Sequence, residues 1–560
     1  MTDNERKIRY IVYILVVVFV SLRIFFLEND LPAFGVGLYQ PKDEGRYSMM
    51  ALNYVNYNSV YVADEFGIYT PPTFRVNLIQ NIFQVLTMTF FGKNYIGFRM
   101  PFVIISLINI VLLLRLTCYF LEKYDVTGKM KTIFFVFMAL VLVADFSILL
   151  SSKCAESSSM RALTVTVALY IMILGDFNHT IRNFVLGFGS VISMFFVYLT
   201  NISLIIAVSV LMLYYFFKRE TKKGTSILLG LILGVILSEI YYIKYWDMGA
   251  FQNLFASIGG FSDRIVSNAN EEIIFIKIIN GCFSLFSCNN LFFNIFLLVM
   301  LVYGIFVLIF KMRNKFDEKE FFLIIIFGAY LIQCALIDDY NERKSLTIMP
   351  VMLLIGLVGT ICWVCNKETT EKKYKYAKIS SILMAIICCF FSLNIRDKKN
   401  YLLDFELMDI VVWVIIIALV VFLLSVDTIF SCHKSTILIA IIAVICMNLY
   451  FDVKYVYNYK LYTEKQAMIE IGEIIGEEYV IAPYAIDFCL YNNIKPVSNE
   501  FDTYRQLIEL EQISFLIDYS GGYNVKKILP EENFETVLKC ERSIKCLGEY
   551  WPISVFKECN

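Results

Sequence analysis

Apolar residues fill long uninterrupted runs over most of this chain, and the polar positions fall between them. A helix crossing a bilayer needs about 20 apolar residues, because each adds about 1.5 Å of rise across about 30 Å of hydrocarbon. That rule places spans near 10–27, 97–121, 131–150, 160–176, 183–199, 202–217, 225–245, 291–310, 320–337, 346–365, 378–395, 410–429 and 435–452. The stretch 183–217 reads as two tight spans or one long bent one, broken only by Thr200-Asn201. The expected fold class is therefore an α-helical polytopic membrane protein of about 13 spans.

Basic residues set the expected orientation. Loops 218–223, 311–319 and 367–378 carry four, four and five Lys and Arg, and all fall on the side of the N-terminus, which is expected to be cytoplasmic. The outer loop 396–409, with Arg396, Lys398 and Lys399, runs against the bias. The first segment follows Arg6, Lys7 and Arg9 but shows no small-residue cleavage site, so it is expected to be a retained helix.

Three segments then stand outside: 28–96, 246–290 and 453–560. In the first, residues 74–91 repeat apolar positions at helical spacing, with Asn77, Gln80, Asn81 and Gln84 on another face. Such a helix is expected to lie in the membrane interface rather than cross it. The last segment alternates strand-like runs (478–482, 513–518, 551–556) with a helix-like run (502–511), and holds 17 acidic against 11 basic residues. The expected organisation is a transmembrane domain over 1–452, with the candidate active site in outer loop 28–96, and a soluble extracytoplasmic α/β domain over 453–560.

Composition agrees: 58% of the residues are hydrophobic and 18% charged, far from the balance of soluble domains. A net charge of -1 gives no nucleic-acid footprint. Of the 15 Cys, those at 118, 334, 362, 365, 388, 389 and 446 belong to apolar spans and read as small hydrophobes. Cys282 and Cys288, and Cys540 and Cys546, lie on outer segments, where disulfides and free thiols are both open readings. The two His, His179 and His433, stand apart from one another and from any CxxC pair, so no zinc site is expected.

Candidate chemistry lies where charge meets the bilayer. Asp43-Glu44 follows the first span and is followed by Gly45-Arg46-Tyr47, Thr70-Pro71-Pro72, Phe91-Gly92 and Arg99-Met100-Pro101. Taken singly, Asp43-Glu44 reads equally as a solvated pair or a helix cap, and Arg99 and Arg161 as snorkelling anchors. Asp145 and Glu239, inside apolar runs, read as wet or interfacial carboxylates.

The order of these elements resembles the GT-C class of membrane glycosyltransferases, close to the protein O-mannosyltransferases and the lipid A aminoarabinose transferases. The resemblance is close over about 70 residues, and a Lys common before the two prolines is Thr70 here. It implies transfer of a sugar from a polyprenyl phosphate to a hydroxyl of a glycan, lipid or protein, with inversion. Asp43 would be the base, with Glu44 beside it, and Arg46, Arg99, Arg161 and Arg343 would meet the phosphate. The partners implied are the lipid-linked sugar donor, the hydroxyl acceptor and the bilayer. No cofactor is expected, although Asp338, Asp339 and Asp43 leave a divalent cation open. A transporter or flippase, or a non-catalytic binder of lipid-linked glycans, is the rival reading. It fits less well because no internal repeat is visible.

The topology is directly testable. In a background without native cysteines, a membrane-impermeant thiol reagent is expected to modify a Cys placed at Asn524 and to spare one at Thr370. The reverse pattern would invert the orientation and put Asp43 in the cytoplasm.

Overall fold

The structure, a computed structural model, describes residues 3–29, 44, 48–58, 77–176, 178–198, 201–246, 249–252, 254, 295–337, 346–365, 372–394, 407–430, 433–454, 463–481, 489–497, 513–518, 534–546 and 549–558. Its helices are α1 (Asp3–Leu22), α2 (Met49–Tyr57), α3 (Leu78–Phe91), α4 (Tyr95–Lys123), α5 (Gly128–Ala144), α6 (Phe146–Lys153), α7 (Ser158–Leu174), α8 (His179–Ile192), α9 (Ile202–Phe217), α10 (Thr221–Trp246), α11 (Ile295–Asn314), α12 (Glu318–Ile337), α13 (Met349–Cys365), α14 (Lys372–Asn394), α15 (Leu407–Phe430), α16 (His433–Asp452) and α17 (Thr463–Ile475). Over their described residues the apolar segments expected from the sequence fall largely on helix. Among the described residues seven helices are long and apolar enough to cross a membrane, and eight if α5 and α6, bent by 49°, count as one. The fold is that of a polytopic helical membrane protein. The chain divides into two compact units.

The first unit comprises Met1–Ser21, Ile105–Leu149 and Ser158–Asp452. Lipid gives helices no hydrophobic reason to associate, so close backbone approach has to come from small residues. A Cβ on Gly230 would lie 2.2 Å from the carbonyl oxygen of Phe184, and one on Gly187 would lie 2.4 Å from that of Ile227, which locks α8 against α10. Gly304 and Gly359 do the same for α11 and α13.

One end of this bundle is tied by charge. Glu318 lies 2.8 Å from Arg182 and 3.5 Å from Lys223, and accepts the Tyr215 hydroxyl, while Lys123 lies 2.9 Å from Asp317 and 2.7 Å from Glu320. The basic loop 218–223 thus meets an acidic residue of 311–319 through Lys223 and Glu318. Asp145 is buried and caps α6 by accepting the Ile148 N–H at 2.9 Å; Glu239 accepts the Ala250 and Phe251 N–H groups at 2.8 and 2.9 Å. Asp145 is thus not the wet carboxylate read from the sequence, because its charge is used to satisfy a helix N-terminus.

The second unit comprises Leu22–Ile104, Leu150–Ser157 and Val453–Asn560. Its mixed sheet has the order β2-β1-β3-β5-β4, with β1 (Tyr479–Ile481) parallel to β2 (Lys495–Val497) and β3 (Ile513–Asp518). The strands β5 (Glu549–Glu558) and β4 (Phe534–Cys546) add on antiparallel. Helix α17 ends at Gly476, whose φ of 67° is the left-handed value that suits a glycine stop. The helix-like run 502–511 lies outside the described residues. One apolar cluster joins Ala467, Met468 and Ile471 of α17 and Val480 of β1 to Leu52 of α2, Met88 of α3 and Phe98 of α4. The sheet therefore shares a core with α2, α3 and α4.

Helix α3, about 21 Å long, is too short to cross hydrocarbon. Its polar side chains Gln80, Asn81 and Gln84 are buried, whereas Ile82, Phe83, Leu86, Phe90 and Phe91 are exposed. This inside-out amphipathy suits a helix whose open face meets lipid.

Replacing Gly230 by Leu is expected to separate α8 from α10, because its Cβ would meet backbone rather than a movable side chain. The check is the thermal aggregation midpoint of the detergent-solubilised protein, expected to fall; Gly189→Leu, where a Cβ meets nothing within 4 Å, is expected to leave it in place.

Candidate active site

The Asp43-Glu44 motif falls partly on described residues. Glu44 is buried, as is Arg99 on the second turn of α4, and the two form a paired ion bridge. Arg99 Nε donates to Glu44 Oε1 at 2.9 Å and Nη2 to Oε2 at 2.5 Å. Nη1 donates to the carbonyl oxygens of Leu27 and Asn29 at 2.8 and 2.9 Å, at the end of the chain leaving α1. The Ala155 N–H donates to Glu44 Oε1 at 2.6 Å. A buried carboxylate costs free energy unless charge and hydrogen bonds compensate it, and Glu44 has both on its two oxygens. The guanidinium also lies 3.8 Å from the ring centroid of Tyr95, one turn earlier in α4.

Helices α2 and α3 brace this pair. Gln84 Nε2 donates to Ser48 Oγ at 2.8 Å and to the Phe98 carbonyl at 3.2 Å; the Ala51 N–H donates to Asn81 Oδ1 at 2.8 Å. Thr87 Oγ1 donates to the Gly97 carbonyl at 2.6 Å, where α3 and α4 meet. A Cβ on Gly97 would lie 2.3 Å from the Gly92 carbonyl oxygen, so the Phe91-Gly92 turn requires a glycine opposite it. Lys93 in this turn donates to the Asn492 carbonyl and, at 3.0 Å, to Asn493 Oδ1; burial lowers its pKa from the usual lysine value.

Of the residues singled out from sequence, Glu44 and Arg99 meet. Arg99, expected at a phosphate, here holds Glu44 and two carbonyls. Arg161 belongs to the first unit, where it is buried, donates to Ser158 Oγ at 3.1 Å and lies 4.5 Å from the Tyr198 ring centroid. Asp43, Arg46, Thr70, Pro71, Pro72, Asp338, Asp339 and Arg343 lie outside the described residues. Among the described residues no three His, Cys, Asp or Glu gather as a metal site.

Sequence reasoning missed Arg23, Lys153 and the segment around Ala155. Arg23 is buried and donates to Ser152 Oγ at 3.0 Å, and Lys153 is buried one residue on. The available signal was two cations at the edges of apolar runs.

Arg99→Ala would leave Glu44 buried without its countercharge, a loss of about 3–5 kcal/mol in comparable pairs. Chemical denaturation or thermal melting of the solubilised protein is expected to show it, with Arg99→Lys intermediate because an ammonium cannot make the paired bond.

The sequence matches no family model and no curated relative. The fold does find counterparts: the crystal structures of ArnT from Cupriavidus metallidurans in the apo state and bound to undecaprenyl phosphate. They align with TM-scores of 0.52 and 0.53, each at 13% identity, covering 97% of this chain and 97% of that one. This chain shares the fold of those ArnT structures over nearly its whole length.

Proposed function

We propose that this chain is a membrane glycosyltransferase that takes a sugar from a polyprenyl phosphate and passes it to a hydroxyl on the outer face of the membrane. The observation that carries the reading is the buried Glu44–Arg99 bridge, which anchors the chain at the residue next to Asp43. Likeness of fold to a protein solved with undecaprenyl phosphate supports the same donor class.

In this reading Asp43 takes the proton of the acceptor hydroxyl as its oxygen bonds to the anomeric carbon. The bond from that carbon to the phosphate oxygen breaks, and polyprenyl phosphate leaves with the electron pair. A single displacement inverts the anomeric centre. Glu44 and Arg99 position Asp43, while Arg46, Arg161 and Arg343 are assigned to the phosphate, whose charge grows as the bond breaks. Guanidinium groups suit this task because they pair two phosphate oxygens at once. Thirteen spans, a cytoplasmic N-terminus and an outer C-terminal domain complete the proposal.

Mass spectrometry of envelope glycans and lipids from cells with and without the chain is expected to reveal a sugar present only with it. Asp43→Asn is expected to abolish that product while insertion and undecaprenyl phosphate binding persist. A positioned base contributes typically about 10²–10⁴-fold, whereas Asn caps a helix as well as Asp. Near-normal product from Asp43→Asn would refute the base assignment, and identical glycans in the two strains would refute the enzyme.

A further inference from the structure

The segment Cys489–Ile494, which follows β1 in the chain, makes polar contacts at several points of the first outer loop, all within the second unit. The Tyr57 hydroxyl donates to the Ile494 carbonyl, and Lys93 donates to the Asn492 carbonyl. Tyr491 reaches furthest. Its oxygen accepts the N–H of Tyr95 at 3.0 Å, and its hydroxyl donates to Glu28 Oε1 at 3.2 Å. Lys465 of α17 donates to the same Glu28 oxygen at 2.9 Å, with its ammonium 5.2 Å from the Tyr491 ring centroid.

These contacts meet the helix end that carries the site. Tyr95 opens α4, and the first N–H groups of a helix have no partner inside it. The phenol of Tyr491 supplies one. The Tyr95 and Tyr491 rings meet edge to face at 5.7 Å, and Tyr95 carries the Arg99 guanidinium on its ring at 3.8 Å. Arg99 in turn grips Glu44. Burial raises the pKa of the Tyr491 phenol above its usual value, so the proton it donates to Glu28 stays in place at neutral pH.

We propose that Tyr491 is a positioning residue for the Glu44–Arg99 bridge: through Tyr95 it fixes the plane of Arg99 and hence Glu44. The sheet domain would then act on the reaction itself and not only shield it. The proposal rests on the assignment of Asp43 as base. Apolar packing between α17, β1 and α4 already fastens the domain, so the directional bonds of Tyr491 add aim rather than bulk adhesion.

The test compares full-length wild type with Tyr491→Phe and Glu28→Gln, read by hydrogen exchange at the amides of residues 95–99 and by the initial rate of product formation. Undecaprenyl phosphate affinity and melting temperature are measured alongside. Tyr491→Phe keeps the ring and loses the hydrogen bonds. It is expected to speed exchange at 95–99 and to slow product formation, each by about fivefold to tenfold, with affinity and melting temperature unchanged. Glu28→Gln is expected to move both in the same direction, less far. Unchanged exchange at 95–99, or faster exchange with an unaltered rate, would overturn the proposal; a slower rate matched by a lowered melting temperature would reduce Tyr491 to ordinary packing. If wild type forms no product the enzyme reading fails, and faster exchange at 95–99 would still support Tyr491 as the brace of α4.

Discussion

A carboxylate and a guanidinium out of water tie Glu44 to the start of α4. Glu44 and Arg99 are separated by more than fifty residues, and their bridge closes that span. Desolvating both ions costs several kcal/mol each, and their attraction offsets this only with good geometry and with further bonds on the remaining atoms. The Leu27 and Asn29 carbonyls and the Ala155 N–H supply those bonds, so four stretches of chain must converge before the pair is tolerable. Hydrophobic substitution could hold the same stretches together. An ion pair instead fixes the rotation of each partner.

Lipid as solvent explains why the rest looks inverted. Helix α3 buries amides and exposes Phe90 and Phe91, an arrangement that would aggregate in water. In the first unit glycine pairs replace apolar burial as the means of close approach. Charged side chains collect at helix ends, where Glu318 serves Arg182, Lys223 and Tyr215 together.

Helix positions were legible because hydropathy over about 20 residues is a strong one-body signal. Helix α3 was legible too, since the spacing of Asn77, Gln80, Asn81 and Gln84 marks one face without any knowledge of what covers it. What escaped was pairwise. Nothing local at Arg99 says that it meets Glu44; as an isolated cation at a span end it reads as an anchor or as a phosphate ligand. Asp145 looks like a misplaced acid until the bend between α5 and α6 exposes an N-terminus for it to cap. The amphipathic run of α17 (Thr463–Ile475) was visible in principle, but charged positions on its outer face hid it among loop sequence.

The division of the chain also differs from what hydropathy draws. A boundary at 452 separates apolar from polar sequence, yet the compact unit containing the sheet also contains Leu22–Ile104 and Leu150–Ser157. Physical unity follows shared core and not shared polarity. Leu52, Met88, Tyr95 and Phe98 share one apolar cluster with Met468, Ile471, Ile475 and Val480. The sheet adds apolar surface to that cluster, and the segment after β1 adds polar contacts to the start of α4 and the turn before it through Tyr491 and Asn492.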